Sequence, residues 1–268
     1  MDGFAEKLAS KLHHYSVLPF SDVNGTVDAV DPFVLTNYTF FLVIAFVITL
    51  VFFLVAARRV SIVPQGIGQV AEAGYEFIRN LCVDNMGKDG AKYAPFIGTL
   101  FFFILFNNVI GLVPGALPGT GSIGVTATWA LMVFIVYNAI GFKKNGVIGY
   151  LKSFVPSGVR EMGPGGRFTL GPFIFILEIV GHFLRPLTLA VRLYANMFAG
   201  GIILGIFGIF MILGVQQLGA LGITMTGFGF MMLVIMYGFK VFVAFIQAYV
   251  FAILTSVYIG GALHASEH

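Results

Sequence analysis

FIFILEIVGHFLRPLTLAVRLYANMFAGGIILGIFGIFMI, residues 173–212, decides how this chain folds. It carries three formal charges, Glu178, Arg185 and Arg192, in an otherwise apolar run. A helical bilayer span needs about 20 apolar residues, and this stretch is about twice that length. At 1.5 Å per residue it would extend roughly 60 Å, against about 30 Å of hydrocarbon or about 45 Å with headgroups. Either the run is broken, or it lies steeply tilted, at roughly 40 to 60° from the membrane normal by that geometry and beyond the usual range. Residues 223–262 form a second run of the same kind, beyond a turn region with Gln216, Gln217 and several glycines. The pair reads as a long tilted hairpin.

Charges inside such helices cost at least a few kcal/mol each near the bilayer centre. Glu178, Arg185 and Arg192 are spaced seven and seven, which on a 3.6-residue helix lines them along one stripe with a drift of about 20° per step. His182, four after Glu178, and Asn196, four after Arg192, share that side. Glu178 and Arg192 lie roughly 21 Å apart along the axis, so this carboxylate cannot neutralise that guanidinium. The second long helix offers no acid, and the remaining acids are extramembrane. The counter-ion of Arg192 is therefore expected on another polypeptide. Arginine stays protonated in proteins, so Arg192 acts as a fixed charge and not as a proton relay; snorkelling to a headgroup or a structural pairing is the alternative.

Arg185, before Pro186 and nearer the cytoplasmic end, reads as structural. Glu178 and His182 can titrate, and either line a proton path or form a satisfied structural pair. Lys240 and Gln247, seven apart on the last helix, share a face. Gln247 could face Arg192 or serve as interhelical glue. Lys240 is either a solvated snorkelling lysine or a titratable group in an outer water path.

The rest of the chain agrees with a membrane setting. Of its 268 residues 58% are hydrophobic and 10% charged, against roughly 25% charged in a soluble domain. Residues 1–34 hold Asp2, Glu6, Asp22, Asp28 and Asp31 with no apolar core, so they are not expected to act as a cleavable signal peptide. A first span covers 35–57 and ends at Arg58 and Arg59; a polar stretch, read as a loop, covers 58–92. Further spans cover 93–113 and 123–142, joined by the uncharged link 114–122. Lys143, Lys144, Lys152, Arg160 and Arg167 make 143–169 a basic segment. The positive-inside rule puts 58–92 and 143–169 in the cytoplasm, with the N-terminus and the 114–122 link outside and the C-terminus inside. The fold class is thus an all-α membrane protein with about five transmembrane helices, the last two long, 170–212 and 223–262.

Several features carry no chemistry. Gly119, Gly121 and Gly124 spell G-x-G-x-x-G but follow a proline turn and open a span, not a strand-to-helix turn. Cys82 has no cysteine partner for a disulfide and none for a metal site. His13 and His14 lack ligand spacing, so neither a metal nor another cofactor is expected, and the net charge of +3 is no sign of nucleic acid. Gly200, Gly201, Gly205 and Gly208 leave part of the helix nearly without side chains, allowing another helix to approach closely.

PLTLAVRLYANMFAGGIIL (186–204) and AFIQAYVFAILTSVYI (244–259) resemble the two signature helices of subunit a of bacterial F-type ATP synthases, and FNNVIGLVPG (106–115) resembles that family's second-span ending. The resemblance covers most of the chain. It implies a non-catalytic stator in the bacterial plasma membrane, lying against a rotating ring of c subunits that each carry one carboxylate, with the b-subunit peripheral stalk and other Fo and F1 subunits as partners. It also implies that Arg192 separates two aqueous half-channels, that Asn196 and Gln247 accompany it, that Glu178 is the acid of the cytoplasmic half-channel, and that Asn108 lines the outer one. This chain departs from many relatives in having Gly201 and Lys240 where an acid or His serves as outer relay, and Gly111 in place of a second-span acid. Lys240, or a water chain past Asn108, is expected to take over. A secondary transporter coupled through Glu178, His182 and Lys240, and a scaffold without an ion path, are the competing classes.

Overall fold

A computed structural model describes residues 37–58, 66–113, 116–154, 164–216 and 220–264. The acidic N-terminal segment with its histidines, Arg59, the middle of the basic segment and Gln217 lie outside the described residues. Six α-helices follow one another: α1 (Asn37–Arg58), α2 (Ile67–Met86), α3 (Ala94–Ile110), α4 (Ile123–Ser153), α5 (Pro164–Gln216) and α6 (Ala220–Leu263). Short 3₁₀ turns, Gly87–Lys92 and Gly119–Gly121, lead into α3 and α4. Four helices are long and apolar enough to cross a membrane, or five if the bent pair α2–α3 counts as one span.

The polar stretch read as a loop holds α2. Ala71, Ile78, Cys82 and Met86 are buried, while Glu72, Glu76, Arg79 and Asp84 are exposed. Recurrence every three to four residues makes one apolar face on a short helix. That face packs on α3, where an added Cβ on Gly98 would meet Ile78, and on α6, where one on Gly260 would meet Met86; Phe77, exposed beside it, meets Phe101 and Tyr249. α2 and α3 meet at 119°. The turn between them begins at Gly87, whose φ of 70° suits a residue without Cβ. A second such residue, Gly146 with φ 71°, breaks α4 and redirects its last turns.

α5 and α6 are each continuous, which excludes a break within either long run. α5 keeps its helix through Pro172 and Pro186 over 53 residues, about 80 Å, and α6 runs for 44. They form an antiparallel hairpin whose register can be followed along its length. An added Cβ on Gly214 would meet Thr226, one on Gly229 would meet Met211, and one on Gly200 would meet Lys240. Farther along, Asn196 meets Gln247, and Arg185 lies over the Tyr258 ring.

The core gathers where α2, α3, α4, the middle of α5 and the later half of α6 converge, around Ile78, Ile97, Leu100, Tyr137, Leu189, Leu193, Phe251 and Ile259. α1 joins through Phe52 and Phe53, which pack against Phe102. Outside this core the surface stays apolar: Phe173, Leu177, Phe183, Leu187, Val191, Phe198 and Ile202 are all exposed along α5. Such a face suits lipid or another apolar helix and does not suit water.

Candidate functional site

The polar stripe of α5 divides into two parts. In the first, Arg185 donates to Glu178 at 2.8 Å, so the carboxylate is paired two turns along its own helix. Both side chains are a little over a third exposed. His182 lies between them in sequence but turns elsewhere. It is buried, and its Nε2 lies 2.9 Å from the Asn138 side-chain oxygen on α4. The Tyr150 hydroxyl donates to the same oxygen at 3.2 Å. Phe134, Tyr137 and Phe154 surround the imidazole. Glu178 and His182 therefore do not form a pair with each other; each has its own partner.

The second part is centred on Arg192. It is exposed on the outer face of α5, between Thr188 and Ala195, while Leu189, Ala190, Leu193 and Met197 on the opposite side are buried. The ion pairs among the described residues are Glu178–Arg185 and Asp89–Lys92, and neither involves Arg192. One turn on, the Asn196 amide donates to the Gln247 side-chain oxygen at 2.5 Å. Gln247 thus faces Asn196 instead of Arg192. It is 2% exposed, and its Nε2 has no partner among the described residues. Past Gly200, an added Cβ on Gly201, Gly205 or Gly208 would meet nothing within 4 Å, so α5 is open at these positions, on the side of the helix away from Arg192.

A third polar group joins α3 to α6. Asn108 is fully buried, donates to the Ala244 carbonyl at 3.3 Å and accepts from the Thr120 hydroxyl at 3.0 Å. Lys240 is 8% exposed and donates to the Gly111 carbonyl at 2.8 Å. It does not snorkel; its stem lies across Gly200. The sequence reading missed Asn138, Thr120 and the Gly111 carbonyl because their importance lies in contacts made across many residues. It also missed Asn107, which is buried with neither amide atom partnered among the described residues. No cluster of three or more His, Cys, Asp or Glu residues suited to a metal occurs among the described residues.

Arg192, with no ionic partner among the described residues, thus stands beside the Asn196–Gln247 amide pair on a two-helix hairpin. The sequence model of the family described as ATP synthase A chain matches residues 39–260. The chain belongs to the ATP synthase A chain family. Curated relatives named ATP synthase subunit a agree. One from Hyphomonas neptunium is 39% identical over 96% of this chain and 97% of its own length. One from Rhizobium rhizogenes is 40% identical over 95% and 96%, and one from Acidiphilium cryptum 39% identical over 85% and 88%. The matched span of the ATP synthase A chain family takes in α1 to α6 nearly whole, with Arg192, Asn196, Lys240 and Gln247 inside it.

Proposed function

We propose that this chain is the proton-carrying stator of a rotary ATP synthase, set in the bacterial plasma membrane against a ring of c subunits and held by the b-subunit stalk. It performs no covalent step. The observation that carries the reading is Arg192, a permanent cation on an exposed apolar face with no carboxylate partner among the described residues. A ring carboxylate brought to that face would be its counter-ion.

The chemistry follows from charge. In a low-dielectric seam the guanidinium favours the ionised form of an approaching carboxylate, because Coulomb attraction is far stronger there than in water. The carboxylate therefore gives up its proton to one half-channel before it passes Arg192, and takes another from the second half-channel afterwards. Since arginine does not deprotonate, no proton crosses directly between the two. The membrane field supplies about 2.3 kcal/mol per charge per 100 mV, and the sense of rotation follows that field.

Glu178, with His182 beside it in sequence, belongs to the cytoplasmic half-channel. Asn108 belongs to the outer one, together with Lys240 or a water chain in its place. Asn196 and Gln247 orient each other next to Arg192. The N-terminus lies outside and the C-terminus in the cytoplasm, following the basic segment at 143–169. In inverted membrane vesicles, Arg192→Ala should abolish ATP-driven proton pumping while the ring still assembles. Unimpaired pumping by an assembled Arg192→Ala complex would refute the reading.

A further inference from the structure

Lys240 is the one charged side chain that the structure buries among the described residues, and a buried ammonium needs acceptors. The acceptor it finds is the carbonyl of Gly111, at the residue that follows α3. The C-terminal carbonyls of a helix have no partner within the helix and carry the negative end of its dipole. An ammonium at this point is therefore favoured, where a neutral group would gain less.

The contact does not stand alone. Three residues earlier on α3, Asn108 donates to the carbonyl of Ala244, four residues after Lys240 on α6. The two bonds run in opposite directions, α3 side chain to α6 backbone and α6 side chain to α3 backbone. Together they fix the two helices in depth and rotation at one level. Thr120 holds the other end of the Asn108 amide, which ties the turn before α4 into the same junction. On the α5 side, an added Cβ at Gly200 would lie 3.4 to 3.8 Å from the lysine stem. The stem thus fills a seam that Gly200 leaves open.

We infer that Lys240 is a positioning residue that fastens α6 to the end of α3 as the partner of Asn108, and that it stays protonated through the pumping cycle instead of relaying protons. The outer water path then runs beside this junction, and its proton transfers do not pass through the lysine. A relay must release its proton and regain it each time; an anchor need only keep a donor on Gly111. The two roles respond differently to arginine, which keeps charge and donors but cannot deprotonate.

The inference rests on the proposed pumping role, so Arg192→Ala is measured alongside it in inverted vesicles, and complex content is checked by ring assembly. Lys240→Met should lower the ATP-driven pumping rate about tenfold, the change that goes with losing one charge-assisted hydrogen bond, with the pH profile of the remaining activity unmoved. Lys240→Arg should restore most of the rate in complexes that assemble. If Arg does not fit the seam and assembly fails, the pH profile of Lys240→Met decides. Asn108→Ala combined with Lys240→Met should cost less than the two separate effects together, because both act on one junction. An assembled Lys240→Arg complex as inactive as Lys240→Met, or a displaced pH profile for Lys240→Met, would overturn the anchor. If instead Arg192→Ala pumps normally, the proposed function fails and the lysine result says nothing about a relay.

Discussion

Residues 178–185 and 192–196 sit on the same helix, each with an arginine on one stripe of seven-residue spacing, yet they are satisfied in opposite ways. In the first group Glu178 has Arg185, and His182 has Asn138 and a ring of aromatic side chains. In the second, Asn196 and Gln247 hold each other, and Arg192 has no ionic partner among the described residues. A charge in a membrane helix that its own chain neutralises is compatible with a structural role. A charge with no ionic partner among the described residues is open to one from another molecule, as proposed for Arg192. The contrast lies in the partners, because the sequence spacing is the same for both.

The substitution with the largest expected effect that sharpens this contrast is Arg192→Lys. It keeps a positive charge but loses the planar fork and the fixed protonation of arginine. ATP-driven pumping should fall nearly as far as with alanine, and near-normal pumping would mean that charge alone suffices. Gln247→Leu comes next. It leaves the Asn196 amide without its acceptor and should reduce the pumping rate about tenfold with the ring still assembled.

Arg185→Gln acts on the paired group and should matter less. The pair is more than a third exposed; bathed by the proposed cytoplasmic half-channel it is screened as a surface pair is, and its loss should lower stability by no more than about 1 kcal/mol, read as a small fall in Tm of the solubilised complex. The smallest effect belongs to Lys92→Ala. Lys92 donates to Asp89 at 2.8 Å on an exposed turn, and the lysine holds that carboxyl below its ordinary range. A depressed carboxyl contributes above its unfolded pKa and ceases to as pH falls through its folded pKa. Lys92→Ala should leave Tm unchanged within error at neutral pH and remove only that slight acid dependence.

How much of this could be read from the sequence varies with how local the physics is. The length of the last two helices, the stripe through Glu178, Arg185 and Arg192, and the missing counter-ion follow from helical rise and from a list of acids, so they were legible. α2 was not picked out, because its charges outweigh its apolar face in a hydropathy reading, although Ala71, Ile78, Cys82 and Met86 recur at helical spacing. The partners of Lys240 and His182 were illegible for a different reason. Lys240 donates to a backbone carbonyl 129 residues away, and His182 meets an asparagine 44 residues away. Only the packing of α3 on α6 and of α4 on α5 brings them together. A carbonyl acceptor also leaves no trace in residue type.

The central claim is that the partner of Arg192 belongs to another chain and meets it on the exposed face of α5. Ala195, on that face, can be replaced by Cys, and a second cysteine placed one turn from the carboxylate on the c subunit; native Cys82 is buried and does not compete. Mild oxidation of membranes holding the assembled complex should then give a disulfide-linked pair of the two subunits, with none from Ala190→Cys on the buried side. An assembled complex in which Ala195→Cys forms no cross-link, or in which the buried position cross-links equally well, would contradict the account.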